Sequence, residues 1–495
     1  MDKTAFDIDR YIDMQSNKIL DRVNMFNNKL YLEYGGKLFD DNHASRVVPG
    51  FLPDTKIKML MKLADKIEIL ITINANDIQK NKLRGDLGIT YDQEVLRLID
   101  AFRAIPLYVS GVVITQYTKQ SAADKFRQQL ERLEIKTYLH YPIDNYPVNV
   151  DQIVSDDGYG KNDYIETTRP LVVVTAPGPG SGKMATCLSQ LYHENRNGKI
   201  AGYAKFETFP IWNLPLKHPI NLAYEAATAD LNDVNMIDPF HLDAYGVKTV
   251  NYNRDVEIFP VLQNIFNKIF NECPYKSPTD MGVNMIGFCI TNDEMTQIAA
   301  HDEIIRRYYQ ALVDFRMGLI DEAVSQKVRL VMNQANISIN DRKVVASALA
   351  KAEETATPAV AIELPDGFIV TGKTSSLLGA SSAALLNALK HLARIDDDIM
   401  LISPFIIKPI QDLKINMLKN NNPRLHTDEL LIALSISALS NPVAERAMQY
   451  ISMLKGSQMH SSVILSSVDL NLLKKLNIQV TCEPIYQTKK LYHRK

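Results

Sequence analysis

Residues Leu171–Lys183 read LVVVTAPGPGSGK: an apolar, β-branched run, a glycine-rich turn, and a lysine that opens a helix-period segment. A strand apolar on both faces and followed at once by a helix belongs in a parallel α/β sheet, so this run constrains the fold class most. It also carries chemistry. Glycines let backbone N–H groups converge on an anion, a helix N-terminus adds partial positive charge, and a lysine there reaches a phosphate. The full G-x-x-x-x-G-K-[ST] pattern is not met, because Pro177 replaces its first glycine and Met184 its magnesium-binding hydroxyl. We therefore expect a phosphate-binding turn built from Gly178, Gly180, Ser181, Gly182 and Lys183, holding a nucleotide or another phosphorylated metabolite, with magnesium not supported.

Up to residue 300 the pattern alternates. Leu30–Tyr34, Ile67–Ile73, Val109–Thr115, Lys136–Tyr141, Ile200–Phe206 and Met285–Ile290 join Leu171–Thr175 as strand candidates, with helical periods between them. Hydroxyl caps followed by acidic or amide residues, at Thr90–Gln93 and Ser121–Asp124, start two of those helices. Glu303–Glu354 is wholly helical in period, with Ile304, Tyr308, Leu312 and Phe315 on one stripe. A hairpin around Pro365–Gly367 follows, then strand candidates Ile399–Ser403, Val463–Ser466 and Ile478–Thr481 among helices. The expectation is an α/β protein in three parts: a mainly parallel sheet domain at 1–300, a helical subdomain at 301–357, and a smaller α/β domain at 358–495.

A hydrophobic content of 46% over 495 residues is ample for more than one core. Net charge is −2 with both signs mixed along the chain, which implies neither a nucleic-acid footprint nor a polybasic membrane patch. Cys187, Cys273, Cys289 and Cys482 form no C-x-x-C pair, no apolar run is long enough to span a bilayer, and the start has no secretory pattern. These features predict a soluble cytoplasmic protein.

A second string, Gly367–Thr374, satisfies the phosphate-loop pattern in full, yet its middle residues Phe-Ile-Val-Thr favour an extended strand. We read it as part of the hairpin. Gly178 and Gly180 also give G-x-G, but Lys183 stands where a dinucleotide fingerprint needs its third glycine; Glu207 would be the ribose-binding acid of that reading. Downstream, Lys205, Glu207, Lys217, His218, Asp230, Asp238, His241, Asp243 and Arg254 concentrate acid, base and cation side chains on loops, the mixture group transfer needs. Asp238 and His241 are the candidate catalytic pair. Asp77 and Asp293 follow strand candidates, where capping is the simpler role. Ser375–Ser382 offers another small-residue helix entry, again read as capping. No metal site is expected: His193-Glu194 begins the zinc-helix motif, but Asn197 occupies the place of its second histidine.

Four strings, KLYLEYGGKLFDDNHASRVVPGF, NKLRGDLGITYDQEVLRLIDAFR, VVVTAPGPGSGKMATCLSQLYHE and GYAKFETFPIWNLPLKHPINLAYEAATADLNDVNMIDPFHLDAYG, closely resemble the bacterial family catalogued as domain of unknown function 1846. The resemblance runs over essentially the whole chain. It implies a multi-domain α/β protein with a helical insertion and carries no catalytic residue over. Some family members bear the label ATP-dependent zinc protease, which the residues around His193 do not support. Two functional expectations stand at this point. One is a phosphate-binding, group-transfer enzyme using the Gly178–Lys183 turn; the other is a non-catalytic homo-oligomeric binding or scaffold protein in which that turn is structural.

Overall fold

The computed structural model describes residues 4–85 and 87–488. It comprises two compact units: residues up to Glu225 together with Leu231–Ala300, and Ala226–Asp230 together with the chain from His301 onward.

The first unit is built on seven strands: β1 Leu30–Tyr34, β2 Ile67–Asn74, β3 Tyr108–Thr115, β4 Thr137–Leu139, β5 Leu171–Thr175, β6 Gly202–Phe206 and β7 Gly282–Val283. Their spatial order is β7-β6-β1-β5-β2-β3-β4, every pair parallel. The apolar run Leu171–Val174 is fully buried in β5, which sits between β1 and β2. Helices cover the sheet because parallel strands need crossover connections, and those helices exclude water from both faces. Lys183–Arg196 packs on β1, β5 and β6, and Tyr91–Arg103 on β2 and β3. From β1 the chain moves outward to β2, β3 and β4; β5 then returns to the middle and the chain continues to β6 on the other side. In open α/β sheets this reversal opens a crevice beyond the carboxyl ends of the central strands.

Two local expectations fail here. Met285–Ile290 is not a strand. The last strand is the short β7, followed by a 3-10 turn at Ile286–Phe288, because the Asn284 side-chain oxygen accepts the Ile286 amide and bends the backbone. The helices at Tyr91–Arg103 and Ser121–Arg132 form as expected, but neither start has a side-chain cap: Thr90 pairs with Leu83 in a short ladder, and Ser121 is already inside its helix behind Gln120.

The second unit has a four-stranded sheet of β8 Ala359–Glu363, β9 Ile369–Lys373, β10 Gln458–Ser461 and β11 Gln479–Cys482, in the order β9-β8-β10-β11. The β8 pairings are antiparallel and β10–β11 is parallel. Ile399–Ser403 and Val463–Ser466 are not strands. The first is a turn in which Ile399 N bonds Asp396 O and Ser403 caps a helix, while Leu401 and Ile402 still enter the core; β10 lies just before the second. Among the described residues no helix is long and apolar enough to cross a membrane.

Candidate functional site

The glycine turn leaves the carboxyl end of β5, at the crevice. Gly180 and Gly182 have φ of +77° and +87°, and Gly182 caps the Lys183–Arg196 helix. A Cβ at Gly182 would lie 3.0 Å from Thr115, so both conformation and space require glycine there. Neighbouring strand ends hold the turn through its carbonyls. Thr115 Oγ1 donates to Ser181 O at 2.9 Å, Asn74 Nδ2 to Gly180 O at 3.3 Å, and Ser181 Oγ to Gly178 O at 2.9 Å. With the carbonyls tied back, the amides of Gly180–Met184 have no hydrogen-bond acceptor among the described residues. First-turn amides of any helix lack intrahelical partners, and the left-handed glycines extend that run by bringing Gly180 and Ser181 into it.

Lys183 also has no hydrogen bond or ion pair to a described residue. Burial lowers its pKa; the carboxylate of Glu33 opposes this, while Lys205 and Arg254 reinforce it. Glu33 is buried in β1 and accepts the Tyr203 hydroxyl at 2.7 Å. Across the sheet edge, Lys205 in β6 lies between two carboxylates: Glu207 at 2.6 Å, and Asp255 in the Asn253–Phe270 helix. Burial and the neighbouring Asp255 push the Glu207 carboxyl up to about 8, against the pull of Lys205. For Asp255, burial would raise the pKa, but the Lys205 charge and hydrogen bond outweigh it and hold the acid low. One half-buried lysine thus holds one carboxylate ionised and leaves its partner able to hold a proton near neutrality.

Two hollows flank this edge. One has Gly182 and Ala185 in its wall and is lined by His140, Tyr141, Tyr146 and Tyr159. The other, smaller, is lined by Glu207, Trp212, Asn251, Thr279 and Asn284.

The remaining candidates are placed as follows. Asp238 is buried and caps the Pro239–Tyr245 helix, accepting the His241 amide at 3.0 Å through one oxygen and the Thr279 hydroxyl at 2.7 Å through the other. The His241 ring turns to Ser277 Oγ at 2.8 Å, so the two side chains do not bond each other. Because Thr279 lines the smaller hollow, Asp238 supports its wall. His218 accepts the Ile220 amide through Nδ1 and faces Asp293 through Nε2 at 2.9 Å; Asp77 pairs with Lys82 at 3.3 Å, and Arg254 with Asp233 at 3.3 Å. Lys217, Asp230 and Asp243 are exposed. His193 packs against Tyr164 and Tyr192, and Asn197 ends its helix. Among the described residues no three His, Cys, Asp or Glu side chains are grouped to hold a metal ion.

Gly367–Thr374 is hairpin. Ile369–Lys373 forms β9, and a Cβ on Gly372 would fall 2.1 Å from the backbone nitrogen of Ala384 in the Ala380–Leu392 helix. Sequence reasoning singled out Lys205, Glu207 and Arg254 but missed Glu33 and Asp255. A signal for the first was present: a lone glutamate inside the otherwise apolar LYLEY strand.

Two family descriptions match the chain: Domain of unknown function DUF1846, N-terminal, over residues 4–336, and Domain of unknown function DUF1846, C-terminal, over residues 340–492. The chain is 58% identical over 494 residues to a UPF0371 protein of Streptococcus thermophilus, covering 100% of each. It is 57% identical over 494 residues to the UPF0371 protein of Streptococcus uberis, and 58% to that of Streptococcus pneumoniae serotype 19F, again covering 100% of each. Homology thus extends over the turn and both units alike, and the chain belongs to the DUF1846 family.

Proposed function

We propose that this protein binds a phosphorylated small molecule, nucleotides included, at Gly180–Met184 and Lys183, and transfers a group from or to it at the adjoining carboxylate pair. The observation that carries the reading is the row of unpaired amides beside a lysine that is itself unpaired and half-buried. Partial desolvation of a cation without a partner is unfavourable, as its lowered pKa reflects, and an anion placed on it offsets that cost while satisfying the amides. Lys205, Glu207 and Asp255 supply the chemistry. A carboxyl that holds its proton near neutral pH can give it to a leaving oxygen, or take one from an attacking hydroxyl when ionised. Asp238 then acts by positioning Thr279 in the cavity wall, and His241 by fixing the Pro239–Tyr245 helix to Ser277.

A thermal-shift panel of ATP, GTP, NAD, coenzyme A and sugar phosphates, with and without magnesium, tests the reading. At least one ligand is expected to raise Tm saturably, and Lys183→Ala to weaken its binding about 10- to 100-fold, the range for losing a charge-assisted hydrogen bond. A shift that survives Lys183→Ala undiminished, or no shift with any ligand, overturns it.

A further inference from the structure

The larger hollow opens beside the turn, at the carboxyl ends of β3 and β4, and its walls are of two kinds. Flat or branched apolar surface comes from Tyr141, Ile143 and the rings of Tyr146 and Tyr159. Of the polar groups among these walls, Thr115 and Asn162 are hydrogen-bonded within the protein, while His140, Tyr159 and Gln116 keep capacity toward the hollow. The Tyr159 hydroxyl is buried against the Tyr146 hydroxyl, its hydrogen-bonding neighbour, and bonds no other described group. Burial holds the Tyr159 phenol neutral. His140 is buried, with Nε2 3.3 Å from the Asp163 carbonyl oxygen. A carbonyl only accepts, so Nε2 carries the hydrogen. Burial pushes the imidazole down to about 3, so the ring is neutral and Nδ1 is a bare acceptor with no partner among the described residues. Gln116, at φ +55°, uses its backbone oxygen to accept from Gln120 and leaves its side-chain amide unengaged.

A slot with apolar faces, a bare acceptor and neutral hydroxyls suits a flat ring that carries its own donors and acceptors at the edge. A saturated chain would leave His140 Nδ1 unpaired. A second phosphate would find no cation there. We infer that this hollow holds the nitrogen heterocycle of a nucleotide whose phosphate lies on the Gly180–Lys183 turn, with His140, Tyr159 and Gln116 reading the ring edge and Tyr141 and Tyr146 covering its faces. The inference rests on the phosphate reading above and adds to it the class of ligand.

Isothermal titration of the full chain compares three probes: inorganic pyrophosphate, ribose 5-phosphate, and a set of nucleotides that differ only in base. At least one nucleotide is expected to bind about tenfold or more tightly than ribose 5-phosphate, one edge interaction being enough for that ratio. Tyr159→Phe, which removes only a hydroxyl, should lower that nucleotide's affinity severalfold and leave pyrophosphate unchanged. Tyr146→Ala, at a rim residue 41% exposed and so safe for folding, should do the same. Lys183→Ala should weaken every probe. Nucleotides binding no better than ribose 5-phosphate, with pyrophosphate still lost in Lys183→Ala, would overturn the ring site and leave the turn standing. Nucleosides binding with Tyr159 dependence while pyrophosphate does not bind would overturn the turn instead, and loss of all binding responses would overturn both.

Discussion

Gly178–Lys183 and Gly367–Thr374 each set glycine before lysine, and they differ in what their backbones do with their hydrogen-bonding groups. In the first, carbonyls are tied to Thr115, Asn74 and Ser181 while a row of amides is left open at a helix start. In the second, Ile369–Lys373 is an edge strand whose inward-facing backbone groups pair antiparallel with β8, so its amides lie along an extended ladder and do not converge on one point. The glycines differ as well. Gly182 is needed for a left-handed turn against Thr115, Gly372 for the backbone contact with Ala384. A phosphate-loop pattern therefore means an anion site only where the segment cannot satisfy its own amides.

Gly372→Val should break this contrast most visibly. Its branched side chain would press on Ala384 backbone and cost about 3 kcal/mol of stability, read as a lower urea midpoint, with anion binding by the first unit retained in native buffer. Gly182→Val should instead cost about 1–2 kcal/mol through its positive φ and abolish the phosphate response. If the two variants lose binding equally, the assignment of separate roles is wrong.

The lysines supply the next comparison. Lys183→Ala should weaken phosphate binding about 10- to 100-fold without lowering Tm, since it takes away a half-buried, unpaired charge. The exposed Lys373, changed to alanine, should move stability by less than about 0.5 kcal/mol and leave every ligand affinity in place. Differential scanning fluorimetry of both, with and without ligand, reads the two effects together.

The smallest effects concern pH. Glu207 in the first unit has a folded pKa raised by burial, so the folded state holds a proton that the unfolded state releases near pH 4.3. Its contribution to stability is complete below that value and declines as pH rises toward about 8; Glu207→Gln should flatten this slope in a Tm-against-pH series. In the second unit His426 and Asp469 lie 3.2 Å apart. The hydrogen bond that His426 donates to Asp469 raises the His426 pKa, so its stabilisation is full below about 6.5 and lost as pH rises through the folded value. For Asp469, burial acts upward but the His426 and Thr427 hydrogen bonds prevail and lower its pKa, so its contribution is lost in acid. Asp469→Asn should therefore differ from the parent most near pH 5 and least at pH 8. A constant gap would show that the charge on His426 contributes nothing.

Much of the strand content was legible because it is local. LVVVT, and LYLEY apart from Glu33, are runs of strand-forming apolar and aromatic residues, and they sit where the strands β5 and β1 lie. Gly367–Thr374 was legible as hairpin for the same reason, through the β-branched and aromatic residues at its centre. Met285–Ile290 misled because its apolar composition hides an Asn284 side chain that bends the backbone. Thr90 and Ser121 misled because a capping pattern specifies a possible hydrogen bond, and the adjacent ladder or helix register took the residue first. Of the site, the turn and Lys183 could be named from spacing alone, whereas the surroundings of Lys183 could not.

What the sequence determined by itself was a parallel α/β chain with one glycine turn between a buried strand and a helix, since hydrophobic period and glycine conformational freedom act over a few neighbouring residues. The tertiary structure alone decided that β5 lies between β1 and β2 with β6 beyond β1. That order puts Glu33 and Lys205 beside Lys183, and brings Thr115 and His140 to the opposite side of the same turn. Strand order follows from which helices cover which face and from the crossovers that connect distant strands, and no local window of sequence contains those interactions.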